Sequence, residues 1–314
     1  MYPLIATILF AILFGGAGMN PLSAPRAERV GVRGEQSSPP SSFESARFGR
    51  YWYQGKAELT RYKLDQARYG EMHSGEAVLI FVTEPFLAER QVKLEHGDPA
   101  KGLTVLKLNF VRKFFTGIYP YSIMTSTFTP VDFARTRTLK VASESQEWCG
   151  LTFTQLNLRN GRYAGQLRSY FEDEGDRAFD FAPAWLEDEL WTRIRLAPET
   201  LPVGDVTVVP GLQYARLWHK EVRPENARAT LGADGDRNVY TLDYAAIPRK
   251  LVIRFEKAFP YKIISWEETQ PGAFDGSPLL TTKAVATGSL NLDYWRRHGN
   301  ADAHYRKELG LTMW

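Results

Sequence analysis

The residue types that could do chemistry in this chain are few and scattered. Five histidines, His73, His96, His219, His298 and His304, lie too far apart for the short spacing of a local metal-binding pair. No metal or cofactor is expected from a local motif, which leaves only a site assembled from distant strands. His73 sits between Glu71 and Glu76 and precedes Ser74-Gly75. That grouping suits proton transfer, but it also suits a polar hairpin end, because turns collect polar residues for conformational reasons. Cys149, the single cysteine, follows Gln146-Glu147-Trp148 and precedes Gly150. It would act as a nucleophile if a histidine approached from elsewhere; the simpler expectation is a small buried residue beside Trp148. Glu58, Glu71, His73 and Cys149 are thus the catalytic candidates. Glu187, Asp188 and Glu189 resemble a carboxylate pair for glycoside cleavage only superficially, since neighbours on one helix point in different directions. The run Glu172-Asp173-Glu174-Gly175-Asp176 lacks the alternating spacing of an EF-hand and reads as a solvated loop. No serine stands in a Gly-x-Ser-x-Gly elbow.

Aromatic residues make up 13% of the chain and cluster at Tyr51-Trp52-Tyr53, Phe114-Phe115, Tyr119 with Tyr121, and Trp185 with Trp191. Such rings can line a groove for sugars or acyl chains, or fill a large β core. The binding candidates are Trp52, Tyr53, Arg68, Tyr69, Trp148, Trp185 and Trp191. Arg68 is the most informative of them, because packing does not require an arginine between aromatics.

The elements that must position these residues are mainly strands. Past residue 48, short runs rich in β-branched and aromatic residues recur between Gly, Pro, Asn and Asp, the pattern of antiparallel meanders. Leu106 to Phe110 and Leu251 to Glu256 alternate apolar with polar, so each has one wet face. Ala77 to Val82 has no polar face and reads as a central strand covered on both sides. Asn160-Gly161 is expected to make a two-residue hairpin turn, and Asp234-Gly235 and Ser74-Gly75 look like further ones. Between Pro183 and Ile194, Leu186, Leu190 and Ile194 recur every four residues, which predicts one helix over about 184–195. Pro183 suits its first position, the three acids suit its dipole, Glu189 can pair with Arg193, and Pro198 ends it. The expected fold is a curved antiparallel sheet or incomplete barrel, packed by this helix, with a second sheet layer conceivable from about residue 203.

The chain has 314 residues, 44% hydrophobic and 24% charged, enough to bury a core. A net charge of +3 from 39 basic and 36 acidic residues offers no basic face for nucleic acid. One cysteine allows no internal disulfide. Pro3 to Phe14 is uncharged and apolar and breaks at Gly15-Gly16-Ala17-Gly18, so residues 1–18 are expected to be a signal peptide or, if uncleaved, a membrane anchor. Residues 19–47, rich in proline and serine, read as a disordered tether, and 48–314 as the β-rich body, with a conceivable subdivision near 200. Export to the periplasm follows, with membrane contact only through the N-terminal segment.

Five stretches carry a resemblance: Tyr51 to Glu58, Gln66 to Glu71, Ala77 to Glu84, Gln146-Glu147-Trp148-Cys149-Gly150, and Trp185 to Arg195. They resemble a family of exported bacterial proteins of Bacteroidetes type, often labelled septum formation inhibitor Maf. True Maf proteins are α/β nucleotide pyrophosphatases with an early Ser-x-Arg-Arg segment, which this chain lacks, and the resemblance implies no catalytic residues. Two functional readings follow. One is a non-catalytic envelope protein binding a lipid, glycan or protein partner. The other is an extracytoplasmic hydrolase with a carboxylate and histidine site.

Overall fold

In the computed structural model of the protein, residues 42–132, 137–273 and 275–312 are described. The apolar run 1–18 and most of the proline-rich segment lie outside them. After helix α1 (Ser42–Trp52), strands β1 (Ala57–Arg68), β2 (Glu71–Leu87), β3 (Val92–Lys93), β4 (Leu103–Thr116) and β5 (Tyr119–Pro130) lead the meander. It continues through β6 (Lys140–Glu147), β7 (Gly150–Arg159), β8 (Arg162–Ser169) and β9 (Arg177–Phe181). The two-residue β10 (Trp185–Leu186) runs into α2 (Glu187–Leu196), followed by β11 (Gly204–Val209) and α3 (Leu212–Leu217). Strands β12 (Glu225–Asp234), β13 (Arg237–Tyr244), β14 (Lys250–Glu256), β15 (Ile263–Pro271) and β16 (Leu279–Leu292) follow, then α4 (His304–Leu309).

All sixteen strands among the described residues belong to one curved sheet, in which β1 lies between β16 and β2 and the outermost strands are β9 and β10. Every pairing is antiparallel except β10 with β11. The strands after residue 203 therefore extend the same sheet and make no second layer. One core cluster draws Tyr62, Leu79, Phe110, Leu190, Trp191, Ala229, Leu242, Ile253 and Trp266 together, so the sheet curls around α2. A second joins Tyr163 and Phe181 from one edge to Leu186 and Val209 from the other, so the two edges converge on shared packing. The mainly β, curved, incompletely closed sheet expected from the sequence is the observed fold.

Local signals explain most elements. Asn160 and Gly161 have φ of 49° and 71°, the positive pair a two-residue hairpin turn needs. Ser74-Gly75 is not a turn. The chain reverses five residues earlier at Tyr69 and Gly70, with φ of 54° and 83°, and Arg68 pairs with Glu71. Gly75 serves another purpose: a Cβ there would lie 2.6 Å from the Lys113 carbonyl oxygen and 2.9 Å from the Phe114 Cβ. It is a close-approach glycine inside β2. Ala77 to Val82 is covered on both sides: Ala77, Leu79 and Phe81 face the core, while the outer face of this part of the sheet carries the C-terminal segment. There Leu309 packs against Gly288, and the Thr312 amide and hydroxyl donate to Glu76. At the N-terminal side, residues 42–47 already belong to α1. Helix α2 starts at Glu187, three residues later than the periodicity suggests, because Trp185 and Leu186 are taken into the sheet beside Val208 and Val209.

Candidate functional site

The interior holds buried rings and paired charges. Near α1, Arg195 donates to both Glu58 oxygens at 2.5 and 2.8 Å and to the Pro260 carbonyl at 2.8 Å, with its guanidinium stacked over Trp52 and Phe81. The Tyr51 hydroxyl also donates to Glu58. Burial alone would raise the Glu58 pKa, but the Arg195 charge and hydrogen bonds bring it below the ordinary value. At mid-height, Trp191 meets Phe110 and Trp266 with ring centroids 5.1 and 5.3 Å away.

Each of the three acids opening α2 bolts the helix to a different neighbour. Glu187 accepts from the Tyr244 hydroxyl at 2.7 Å and from the Arg249 guanidinium. Glu189 accepts from the Thr138 hydroxyl at 2.5 Å and from Arg193 at 3.2 Å. Asp188 accepts from the Leu212 backbone N–H at 3.0 Å, the first residue of α3. Burial pushes the Asp188 carboxyl up to about 7, opposed by that N–H and assisted by the Glu187 charge. Arg249 also reaches Gln270 at 2.8 Å, and Arg112 donates to Glu268 at 2.6 Å and to Gln66 at 2.9 Å. Glu58, Glu187, Glu189 and Glu268 are buried charges each paired with an arginine, whereas Asp188 is held by a backbone N–H alone. Their arrangement sets register between helix and sheet.

The exposed candidates gather elsewhere, at one rim. The register of the strands places the connections 69–70, 117–118, 148–149 and 170–176 at the same end of four consecutive hairpins. Three of these connections carry a strongly exposed apolar residue: Ile118 at 78%, Trp148 at 68% and Tyr170 at 74%. Tyr69, Met72, Phe115 and Leu151 are exposed beside them. The row is continuous. Tyr119 stacks on Trp148 with centroids 6.3 Å apart, and its hydroxyl donates to the Tyr69 hydroxyl at 3.2 Å. On the other side Tyr170 lies against Gly150, where a Cβ would come within 2.8 Å of its ring.

Helix α3 supports this rim from inside. Arg68, buried, donates to the Leu217 carbonyl and to the Tyr69 hydroxyl, with its guanidinium 4.2 Å above the Tyr69 ring. Burial pushes the Tyr69 hydroxyl pKa up, but hydrogen bonds from Tyr119 and Tyr121 and the Arg68 charge bring it below the ordinary value. Arg216 donates to Glu147 at 3.0 Å, and His219 Nδ1 lies 2.6 Å from Glu174, which also accepts from Ser169.

The catalytic candidates are not brought together. Glu58 is buried at the far end; Glu71 and Cys149 are exposed on different hairpins; His73 Nε2 is engaged by the Arg68 carbonyl oxygen at 3.0 Å. Cys149 is exposed, contrary to the expectation of burial, because it occupies a hairpin end. A hydrogen bond to Glu147 raises its thiol pKa, which disfavours the thiolate. The carboxylate and imidazole that folding does pair, Glu174 and His219, escaped the sequence reading because 45 residues separate them. Their other contacts are structural: His219 Nε2 faces the Arg216 guanidinium at 3.4 Å, and Ser169 bonds the carboxylate. Among the described residues, no group of three or more His, Cys, Asp or Glu could hold a metal.

Of the binding candidates, Arg68, Tyr69 and Trp148 meet at the rim. Trp52 and Trp191 are core residues, Trp185 is half-buried under the Arg193 guanidinium, and Tyr53 is exposed at the opposite end. Sequence reading missed Phe115, Ile118, Leu151 and Tyr170. For Ile118 and Tyr170 a signal was available, since each is a large apolar residue in a connection where turn chemistry calls for Gly, Asn or Asp, whereas Phe115 and Leu151 lie within strands and carry no such mark. Two surface grooves open among the described residues. One of about 780 Å³ crosses the outer face of β11 to β14 and is lined by the Arg228–Asp205 and Lys250–Asp243 ion pairs. The other, about 410 Å³, lies below the rim over Leu151 and Phe153.

No family model, curated protein or solved structure matches the chain. The segments behind the resemblance drawn from the sequence are those that build this interior and rim: 51–58 closes the α1 end, 66–71 and 146–150 form rim hairpins, and 185–195 is the central helix.

Proposed function

We propose that the chain is an exported, non-catalytic module of the cell envelope that binds its partner through the apolar rim. The observation that carries this reading is the contiguous row from Tyr69 through Tyr119 and Trp148 to Tyr170, exposed where a monomer gains nothing by exposing it. The buried glutamates support it further, since Glu58, Glu187, Glu189 and Glu268 are each paired with an arginine. The apolar N-terminal run supports an envelope location.

Site-specific photocrosslinking tests the proposal. The full chain, with its own N-terminus, is produced in a bacterial host with a photoreactive residue at Ile118 or Tyr170, and at Trp295 as a control near the opposite end. The expected result is crosslinks to an envelope component from the two rim positions and none from Trp295. Equal labelling from all three, or none from any, would refute the rim as the contact surface.

A further inference from the structure

We infer that the occupant of the rim is a lipid bilayer of low net charge, entered by the four hairpin ends side by side; this rests on the rim being the contact surface. Three observations select a bilayer. The first is shape. The exposed side chains sit on projecting ends of β1–β2, β4–β5, β6–β7 and β8–β9, so they form a ridge, whereas a small-molecule site is concave. A ridge buries its apolar surface most readily in a medium that deforms around it.

The second is side-chain chemistry. Tyr69, Tyr119, Trp148 and Tyr170 carry an apolar ring with one polar atom, the type enriched at the headgroup level of membranes. Ile118, at the tip of β4–β5, is wholly apolar and suits the acyl boundary just below, with Phe115 and Leu151 exposed behind the tips.

The third is charge. The exposed acids Glu71, Glu172 and Asp173 flank the row. The neighbouring cations are no more numerous than these and the other nearby acids: Arg68 and Arg177 donate to the Leu217 and Asp173 carbonyls, Arg216 pairs with Glu147, Lys220 with Asp275, and the exposed Arg168 lies 3.9 Å from Asp176. An anionic surface would be repelled by such a rim, so attraction must come from apolar burial and be insensitive to salt.

Cys149 provides the test, because it is exposed on the β6–β7 end next to Trp148 and is the only thiol in the chain. An environment-sensitive fluorophore attached there in the full-length protein reports on rim insertion and is blind to insertion of the N-terminus. With phosphatidylcholine vesicles the emission should shift to the blue and brighten, equally in low and high salt and with no gain from added phosphatidylglycerol. The Ile118→Ser/Tyr170→Ser variant should require at least tenfold more lipid for the same change. A shift that needs anionic lipid and vanishes in salt overturns the inference. So does an unshifted probe on vesicles that otherwise carry the protein. If the probe stays unshifted while Ile118 crosslinks to an envelope protein, the lipid is wrong and the rim reading stands; if neither occurs, both fall.

Discussion

Replacing Asp188 by asparagine removes a charge that the fold holds in an unfavourable place, and the effect depends on pH in a way the structure specifies. The carboxyl has an ordinary value of 3.8 and is pushed up to about 7 by burial, with the Glu187 charge adding to the rise and the Leu212 N–H opposing it. At about 1.4 kcal/mol per unit, the folded state of the wild type bears a penalty of about 4 kcal/mol once Asp188 ionises above pH 7. The sign follows from a folded value above the unfolded one. The penalty is complete above about 7, shrinks as pH falls toward 3.8, and is gone below it. Near pH 5 the remaining cost is under about 2 kcal/mol, so the wild type should gain about 3 kcal/mol from this group between pH 8 and pH 5. In Asp188→Asn the side-chain oxygen can still accept from Leu212, while the buried amide nitrogen needs a partner and costs about 1–3 kcal/mol at every pH. Urea unfolding of both proteins across pH 5–8 separates the two contributions, since the second shifts the variant's curve without changing its slope. The difference between variant and wild type should move in the variant's favour by about 3 kcal/mol from pH 5 to pH 8. Parallel stability curves would show that Asp188 is not ionising against burial, and the reasoning would fail.

Breaking the Glu58–Arg195 pair with Glu58→Gln should cost about 3–5 kcal/mol, because the guanidinium is left buried without its counter-charge. Adding Arg195→Met should recover most of that loss in urea unfolding; no recovery would mean that the pair is not the source. Gly75→Ala should destabilise by about 1–3 kcal/mol, since its Cβ falls 2.6 Å from the Lys113 carbonyl oxygen, whereas Gly232→Ala meets nothing within 4 Å and should stay within about 0.5 kcal/mol. Glu174 has its pKa lowered despite burial, by hydrogen bonds from His219 and Ser169 and by the Arg216 charge. It therefore stabilises the protein above the ordinary value of 4.5, and the contribution is lost as pH falls through the lower folded value. An acid titration of Glu174→Gln, followed by circular dichroism, should lack that component of the unfolding; an unchanged titration would exclude it.

The sequence by itself determined the class of fold and several of its parts. Period-two alternation at Leu106 to Phe110 and Leu251 to Glu256, the unbroken apolar run Ala77 to Val82, the Asn160-Gly161 turn and the four-residue spacing of Leu186, Leu190 and Ile194 are local patterns, and local backbone and burial preferences dictate them. Only the tertiary structure decided what the polar residues do. Glu187, Asp188 and Glu189 look like a charged, wet helix start, yet their partners Arg249, Leu212 and Thr138 lie 62, 24 and 51 residues away, and no spacing rule reaches that far. The same holds for Glu174 with His219. It also holds for the rim, whose members come from four separate hairpins and form one row only because the strand register brings those hairpins to a common end. Patterns with a short period are written along the chain, whereas a charge pair or an exposed row depends on which distant strands the closing of the sheet sets side by side.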